Sequence, residues 1–537
     1  MSDTFPVFEP GTLAARIDPF FKEWNSAPSP GVLVAVLSGG KVVHEAAYGM
    51  ADLANEVPLT PHSVVRIASQ SKQFTTCLLL MLERDGLLSL QDDVRDHLSW
   101  LPDFGYKVTL RHLASNTSGL RDILEMMTIG GVPILAPSSR IYARNVVARQ
   151  SVLNFEPGSD LLYSNSNFLL LSEILETVSG KTFDELLHER ITGPLGMHDT
   201  RLMPRDDVIL PRLAVHHRRG PDGNWLKAAW GIAIGGEGGM VSTLHDMILW
   251  QQNLRDPKVG DPALYASMEN PSILINGEES PYGYGLVRDT RHPVEAVGHG
   301  GWIAGSRSES LRYKEADLGI IILSNHDEFA PYVLARTIAR DLLGFDMQPT
   351  EPAFDLAEGF YRDEAGDDAF QIELRDGRPH LVMNMGSSPL VSVGNDRWQP
   401  QSSIPPFTLN TGENGSLKAE RFGRSRHFIP IRPEQIDLGL FANRAFYSRS
   451  GEFSGETCEV GNELQLTLTS PEGMQRVRLV AYGQNYFFAH PVCKQVHDQW
   501  RLCPWVLPWL FTVRFSDEGL IINSDRTKRL VLSETKA

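Results

Sequence analysis

Ser69 and Lys72 stand three residues apart in Ser69-Gln70-Ser71-Lys72, a spacing that puts both side chains on one face of a helix. A serine hydroxyl becomes a nucleophile only when a base takes its proton. A lysine at this distance can serve directly or tune a second base. The chemistry on offer is acyl transfer, in which Ser69 Oγ attacks an amide or ester carbonyl and water later releases the acyl group. The tetrapeptide alone is a weak signal, because about two chance matches are expected in a chain of this length, and a serine opening a helix is also a good N-cap. Two other stretches offer polar groups. Tyr163-Ser164-Asn165 follows Phe155-Glu156-Pro157-Gly158 and supplies a phenol and a carboxamide. Gly298-His299-Gly300-Gly301 supplies an imidazole beside backbone that a ligand can approach closely. Each has an ordinary reading of its own, as a packed tyrosine or a bulge with a surface histidine.

The elements that must carry these groups can be read from periodicity and turn chemistry. Residues 31–37 (GVLVAVL) and 41–48 (KVVHEAAY), joined by Gly39-Gly40, predict a β-hairpin. A helix is expected over about 71–85, apolar at Phe74, Leu78, Met81 and Leu82, with Gly86 at its C′ position. Further helices fit 167–179, 183–191 and 331–343. Strands return in GLVRD, VEAVGHGG, SRSESLRY and LGIIILS between residues 285 and 324. Strands at both ends with helices between predict an antiparallel sheet packed against helices. Beyond Gly344 the pattern changes to short alternating runs. Two stretches, starting near Glu358 and Asn443, resemble each other: each runs Phe-Tyr, an acidic turn, a strand, a Gly or Asn turn and a second strand. Two related β-domains follow, each an expected small up-and-down barrel.

Taken together, in order and interval, the three polar motifs resemble the active-site motifs of the penicillin-recognising SxxK hydrolases, which include class C β-lactamases, DD-peptidases, related esterases and D-aminopeptidases. Tyr48-Gly49-Met50-Ala51-Asp52, Asn116-Thr117-Ser118-Gly119-Leu120-Arg121-Asp122, Leu195-Gly196-Met197 and Tyr282-Gly283-Tyr284-Gly285 add to the likeness. SQSKQFT, TSGLRD, FEPGS and an HGG triplet in place of Lys-Thr-Gly look most like the D-aminopeptidase group. The resemblance implies an α+β, β-lactamase/transpeptidase-like catalytic domain over 1–346, then two lipocalin-like antiparallel β-barrel domains over 347–437 and 438–537. It also implies a D-stereospecific aminopeptidase releasing small N-terminal D-residues such as D-Ala. A related D-peptidase, D-amino-acid amidase or short-chain esterase is the alternative, and a non-catalytic binding module the remote one. The group uses a loop of its last domain to present an acidic residue to the substrate amine. The corresponding stretch here, Ser470-Pro471-Glu472-Gly473-Met474, is shorter, and Glu472 is its acidic candidate. HGG also lacks the positive charge suited to a β-lactam carboxylate.

The implied mechanism makes Ser69 the nucleophile, with Lys72 and Tyr163 as its activating groups. Asn165 would hold the substrate amide. The backbone N–H groups of Ser69 and Trp302, the residue after Gly300 and Gly301, would form the oxyanion hole. Ionising a tyrosine at neutral pH requires about three pH units, or ~4 kcal/mol. One ammonium at contact distance supplies about that much at an effective dielectric near 20, and burial opposes it. Help is therefore expected from His299 or from hydrogen bonds.

Composition narrows the setting. The chain carries a formal charge of −16 and has a pI near 5.5, which argues against nucleic acid or an anionic membrane as partner. The expected partner is a small peptide, amide or ester, and a homodimer is allowed. The first residues lack a basic and apolar leader, and no apolar run reaches membrane-spanning length, so a cytoplasmic protein is expected. Cys77, Cys458, Cys493 and Cys503 are too sparse for a disulfide framework. The Cys493, His497, Cys503 cluster lacks zinc-site spacing, and His188-Glu189 lacks the second histidine of a zinc helix. No metal or cofactor is expected.

Overall fold

The computed structural model describes residues 5–535 except 26–27, 133–136, 221, 291–292, 327, 345–355, 365–367, 376, 384–385, 393–396, 401–406, 422–423, 432–435, 449–452, 493–494, 497–498 and 501–510. Cys493 and Cys503, with His497 between them, lie outside the described residues. Cys77 and Cys458 are free thiols. The chain packs as two compact units, one of residues 1–99, 108–117 and 167–347, the other of 100–107, 118–166 and 348–537.

The first unit is built on a six-stranded antiparallel sheet. Its strands are β1 (Val32–Ser38), β2 (Lys41–Tyr48), β3 (Val287–Asp289), β4 (Ala296–Ile303), β5 (Ser306–Tyr313) and β6 (Leu318–Ser324), in the order β3-β4-β5-β6-β1-β2. The two ends of the segment meet where β1 pairs with β6, Val32 opposite Ser324 and Ser38 opposite Leu318. β1 is buried along its whole length, so both of its faces are covered. The helices of this unit include α1 (Ser71–Arg84), α3 (Asn165–Ser179, from residue 167 on), α4 (Leu244–Arg255) and α5 (Pro331–Leu343), while α2 (Ile123–Ile129) belongs to the second unit. Val32, Val34 and Val36 share a core with Ile320, Ile322 and, on α5, Ala335, Ile338 and Leu342. The intervening Leu33, Ala35 and Leu37 face the opposite side, where α4 packs. α1 buries Phe74 against Trp250 of α4, ring centroids 4.4 Å apart. It also buries Leu78, Leu79 and Leu82, each worth about 1.5–3 kcal/mol. That burial fixes the helix whose first turn carries Lys72.

One expected helix divides. Residues 183–191 form an α-helical Phe183–Leu187 followed by a wider π-turn, His188–Thr192. Pro194 follows after Gly193, and a proline cannot donate to the ladder and crowds the carbonyl four residues back. Among the described residues, no helix is long and apolar enough to cross a membrane.

The second unit contains two closed eight-stranded antiparallel barrels. The first runs from Gly359–Asp363 to Arg424–Ile431 and closes with Tyr361 opposite Pro430. The second runs from Ala445–Ser448 to Leu530–Glu534 and closes with Tyr447 opposite Ser533. The two similar stretches of sequence form the opening strands of each barrel. Alternate side chains fill the interiors: Tyr361, Phe370, Ile372, Trp398 and Phe428 in one, Phe446, Leu466, Val477, Phe487 and Phe515 in the other. Among the described residues, closure leaves neither barrel with an unpaired edge strand.

Candidate active site

The segment ahead of α1 is held before the helix begins. Ser306 Oγ donates to the Arg66 carbonyl at 2.8 Å and Ser308 Oγ to the Ile67 carbonyl at 2.9 Å. The fully buried Arg66 donates through Nη1 to the Met203 carbonyl at 3.0 Å and through Nε to Asp206 at 2.7 Å. Gly301 of β4 presses on the same segment, where an added Cβ would stand 2.2 Å from the Ile67 carbonyl oxygen. Ala68 then takes a φ of +49°, a left-handed conformation that strains a residue with a Cβ and that gathers at functional sites. A 3-10 turn, Ala68–Gln70, runs from there directly into α1.

Ser69 is not an N-cap, since no side chain caps the start of this turn or of α1. Its hydroxyl instead receives Lys72 Nζ at 3.0 Å, within proton-transfer reach. Lys72 has no solvent exposure, whereas Ser69 is half-buried. The Lys72 amine also donates to the backbone carbonyl of Glu237 and lies 5.2 Å from the centre of the Phe168 ring, a cation–π distance. Glu237 was not among the expected site residues, because a backbone carbonyl leaves no mark on sequence.

His299 lies on β4, buried, with Nδ1 2.5 Å from the Gly300 carbonyl and Nε2 3.1 Å from the Tyr282 hydroxyl. A carbonyl only accepts, so Nδ1 carries the proton and Nε2 accepts from the phenol. Burial, reinforced by the charge on Lys72, pushes the imidazole down to about 3. His299 is therefore neutral at physiological pH. β3 pairs with β4 only as far as Gly298, so the outer edge of residues 299–303, with the Trp302 backbone, is not covered by that strand.

The second unit holds the other motif. The Asn165 backbone N–H donates to Asp122 Oδ2 at 2.6 Å, and Asn165 Nδ2 donates to the same oxygen at 2.8 Å. Asp122 Oδ1 caps α2 through the N–H groups of Leu124 and Glu125, both at 3.0 Å. The α3 helix thus starts at Asn165, two residues earlier than its periodicity predicts, because a distant carboxylate holds its first N–H. Tyr163 is half-buried. Its ring centre lies 4.8 Å from the guanidinium carbon of Arg526, which belongs to the turn between the last two barrel strands.

The Glu472 carboxylate, nearly buried, is paired with Arg149. The turn that carries it rests on the end of α2: Ser470 Oγ donates to the Gly130 carbonyl at 3.0 Å and Gln475 Nε2 to the Ile129 carbonyl at 2.7 Å. Asp122 lies inside a motif quoted above, but its part as a clamp emerges only in three dimensions. Arg526 had no local signal at all.

The comparisons agree with this architecture. The Beta-lactamase family model matches residues 18–345. A D-aminopeptidase from Gluconobacter oxydans (strain 621H) is 30% identical over 452 residues, 83% of this chain and 83% of the relative. The octameric penicillin-binding protein homologue from Pyrococcus abyssi has a TM-score of 0.57 at 22% identity, covering 78% of this chain and 100% of its own. A D-amino acid amidase from Ochrobactrum anthropi SV3 has a TM-score of 0.52 at 24% identity, covering 62% of this chain and 97% of its own. At those identities the two structures speak for the fold alone. The chain belongs to the Beta-lactamase family of serine hydrolases, in the group of its D-aminopeptidase relatives.

Proposed function

We propose that this serine hydrolase is a D-stereospecific aminopeptidase that releases small N-terminal D-residues such as D-Ala from peptides, amides or esters. Identity to a D-aminopeptidase over 452 residues carries the reading, because that length must extend beyond the 18–345 segment into the barrels. Ser69 Oγ attacks the carbonyl carbon while its proton passes to Tyr163, directly or through Lys72. The C–N or C–O bond then breaks as that proton moves to the leaving amine or alcohol. Water, deprotonated by the same group, cleaves the acyl-Ser69 ester. The backbone N–H groups of Ser69 and Trp302 meet the developing oxyanion, each worth about 3 kcal/mol. Asn165, oriented by Asp122, binds the substrate amide, and His299 orients the Gly300-Gly301 backbone as a neutral group.

We divide the chain at 346/347 and 437/438 into a catalytic domain and two barrel domains. The acidic charge speaks against nucleic acid or an anionic membrane as partner, and the reading is of a cytoplasmic enzyme that engages a small peptide, amide or ester, with a homodimer allowed.

A second reading, a D-amino-acid amidase, D-peptide endopeptidase or short-chain esterase, is favoured by one observation: the acidic side chain expected to read the amine is paired with Arg149. Hydrolysis of D-alanine p-nitroanilide and of its N-acetyl derivative separates the two. An aminopeptidase loses the acetylated substrate, and equal rates on both would overturn the aminopeptidase reading. Ser69→Ala is expected to abolish turnover and fluorophosphonate labelling with an unchanged melting temperature. Labelling that persists in that variant would remove Ser69 as nucleophile.

A further inference from the structure

The turn between the last two barrel strands, Gly519–Asn523 and Leu530–Glu534, is bonded along its length to the segment that carries Tyr163. Glu125 of α2 accepts from the Arg526 N–H at 3.0 Å and from the Ser524 hydroxyl. Asn154 accepts from the Lys528 N–H at 2.8 Å and donates to the Arg526 carbonyl at 3.1 Å. Arg121 donates to the carbonyls of Lys528 and Arg529 at 3.4 and 3.3 Å. These bonds fix the backbone on both sides of Arg526. Its side chain, 15% exposed, places Nη1 3.7 Å from Asp122 Oδ2 and its guanidinium carbon 4.8 Å from the Tyr163 ring centre. The same Asp122 oxygen holds Asn165. One guanidinium therefore bears on both ends of Tyr163-Ser164-Asn165.

We infer that Arg526, delivered by the C-terminal barrel, is a positioning residue for the reaction: it holds the Tyr163 ring and the Asp122–Asn165 clamp, and its charge favours the ionised phenol. The inference rests on the reading of Tyr163 as proton acceptor. The charges gathered here fix its sign. Asp122 and Asp525 face Arg526, the latter with Oδ2 4.0 Å from Nε. Glu125 is also adjacent, and burial beside those two aspartates raises it to about 8, leaving it a neutral acid below that pH. Arg121 is turned to backbone carbonyls, and Lys528 is paired with Asp368 at 2.5 Å. Removing Arg526 takes away the cation that faces Asp122, Asp525 and the Tyr163 ring. That loss makes the phenol harder to ionise.

The test uses the full chain and the pH dependence of kcat/KM on D-alanine p-nitroanilide for R526Q, R526K, Y163F and the double variant R526Q/Y163F. For R526Q, kcat is expected to fall tenfold or more with KM within threefold, and the acid limb to move up by about one pH unit. R526K should recover part of both, and the double variant should be no slower than Y163F. If R526Q does not fold, Arg526→Met, which keeps the packing of the stem, takes its place. An unmoved acid limb in R526Q, or a double variant that multiplies the two losses, overturns the inference while the collapse of Y163F preserves the reading of Tyr163. Y163F within tenfold of the wild type overturns both.

Discussion

An ammonium with no solvent exposure is costly unless its donors are used. Lys72 uses them on Ser69 Oγ and the Glu237 carbonyl, with the Phe168 ring face close by. Those contacts make burial tolerable and keep the amine aimed at the nucleophile. His299 meets burial differently, by giving up its proton. With the imidazole pushed down to about 3, it contributes no inflection to activity over about pH 5.5–8. His299→Gln, which keeps a neutral hydrogen-bonding head, is therefore expected to lower kcat/KM while leaving both limbs of the pH profile within about 0.3 unit of their wild-type positions. A limb that moved by a full unit would show that the histidine titrates in the working range.

The relation between elements that matters most is the pressing of β4 onto the turn before α1. Gly301 has no side chain because the Ile67 carbonyl and Ser308 Oγ already occupy the places its Cβ would meet, at 2.2 and 2.5 Å. Ser308 Oγ could rotate away, but the Ile67 carbonyl is backbone and is itself bonded. Gly301→Ala is thus expected to push the strand off the Ser69 turn. Activity should fall at least about tenfold, and stability by about 1–3 kcal/mol, the usual cost of overpacking. A rate assay paired with urea denaturation tests this, and a variant with wild-type rates would mean that the spacing between β4 and Ser69 is slack. The strained Ala68 is held in the same vice, by Ser308 on one side and Arg66 on the other.

At the scale of the molecule, buried titratable groups set opposite pH limits in the two units. In the first unit His216, His299 and His326 are pushed by burial from 6.5 to about 4, 3 and 3. Each is neutral when folded but binds a proton when unfolded below 6.5, so stability is full above that pH and declines as the solution is acidified. The slope is about 1.4 kcal/mol per pH unit and per histidine. In the second unit Glu125, raised from 4.5 to about 8, is protonated when folded. Its stabilising effect is complete below 4.5 and is lost as pH rises to about 8, by about 2 kcal/mol from pH 6.5 upward. Calorimetry across pH should find the melting temperature highest near 6.5. Glu125→Gln should flatten the alkaline limb and leave the acid limb in place. An alkaline limb unchanged in that variant would mean that Glu125 does not titrate there.

What sequence determined by itself was local. Gly39 and Gly40 made the first hairpin legible, and Gly344 ended the last helix of the first unit at the expected residue. The three-residue step from Ser69 to Lys72 put both on one side of a helix, because helical geometry depends only on spacing. The kinship of the barrels showed in their repeated opening strands. Tertiary structure alone decided which groups meet: Gly301 with Ile67, Asp122 with Asn165, Arg526 with Tyr163, and Glu472 with Arg149. It also decided that His299 is uncharged, because burial is a property of the neighbourhood. Contacts between residues tens to hundreds of positions apart arise from packing and desolvation of the whole chain, and no local period or spacing records them.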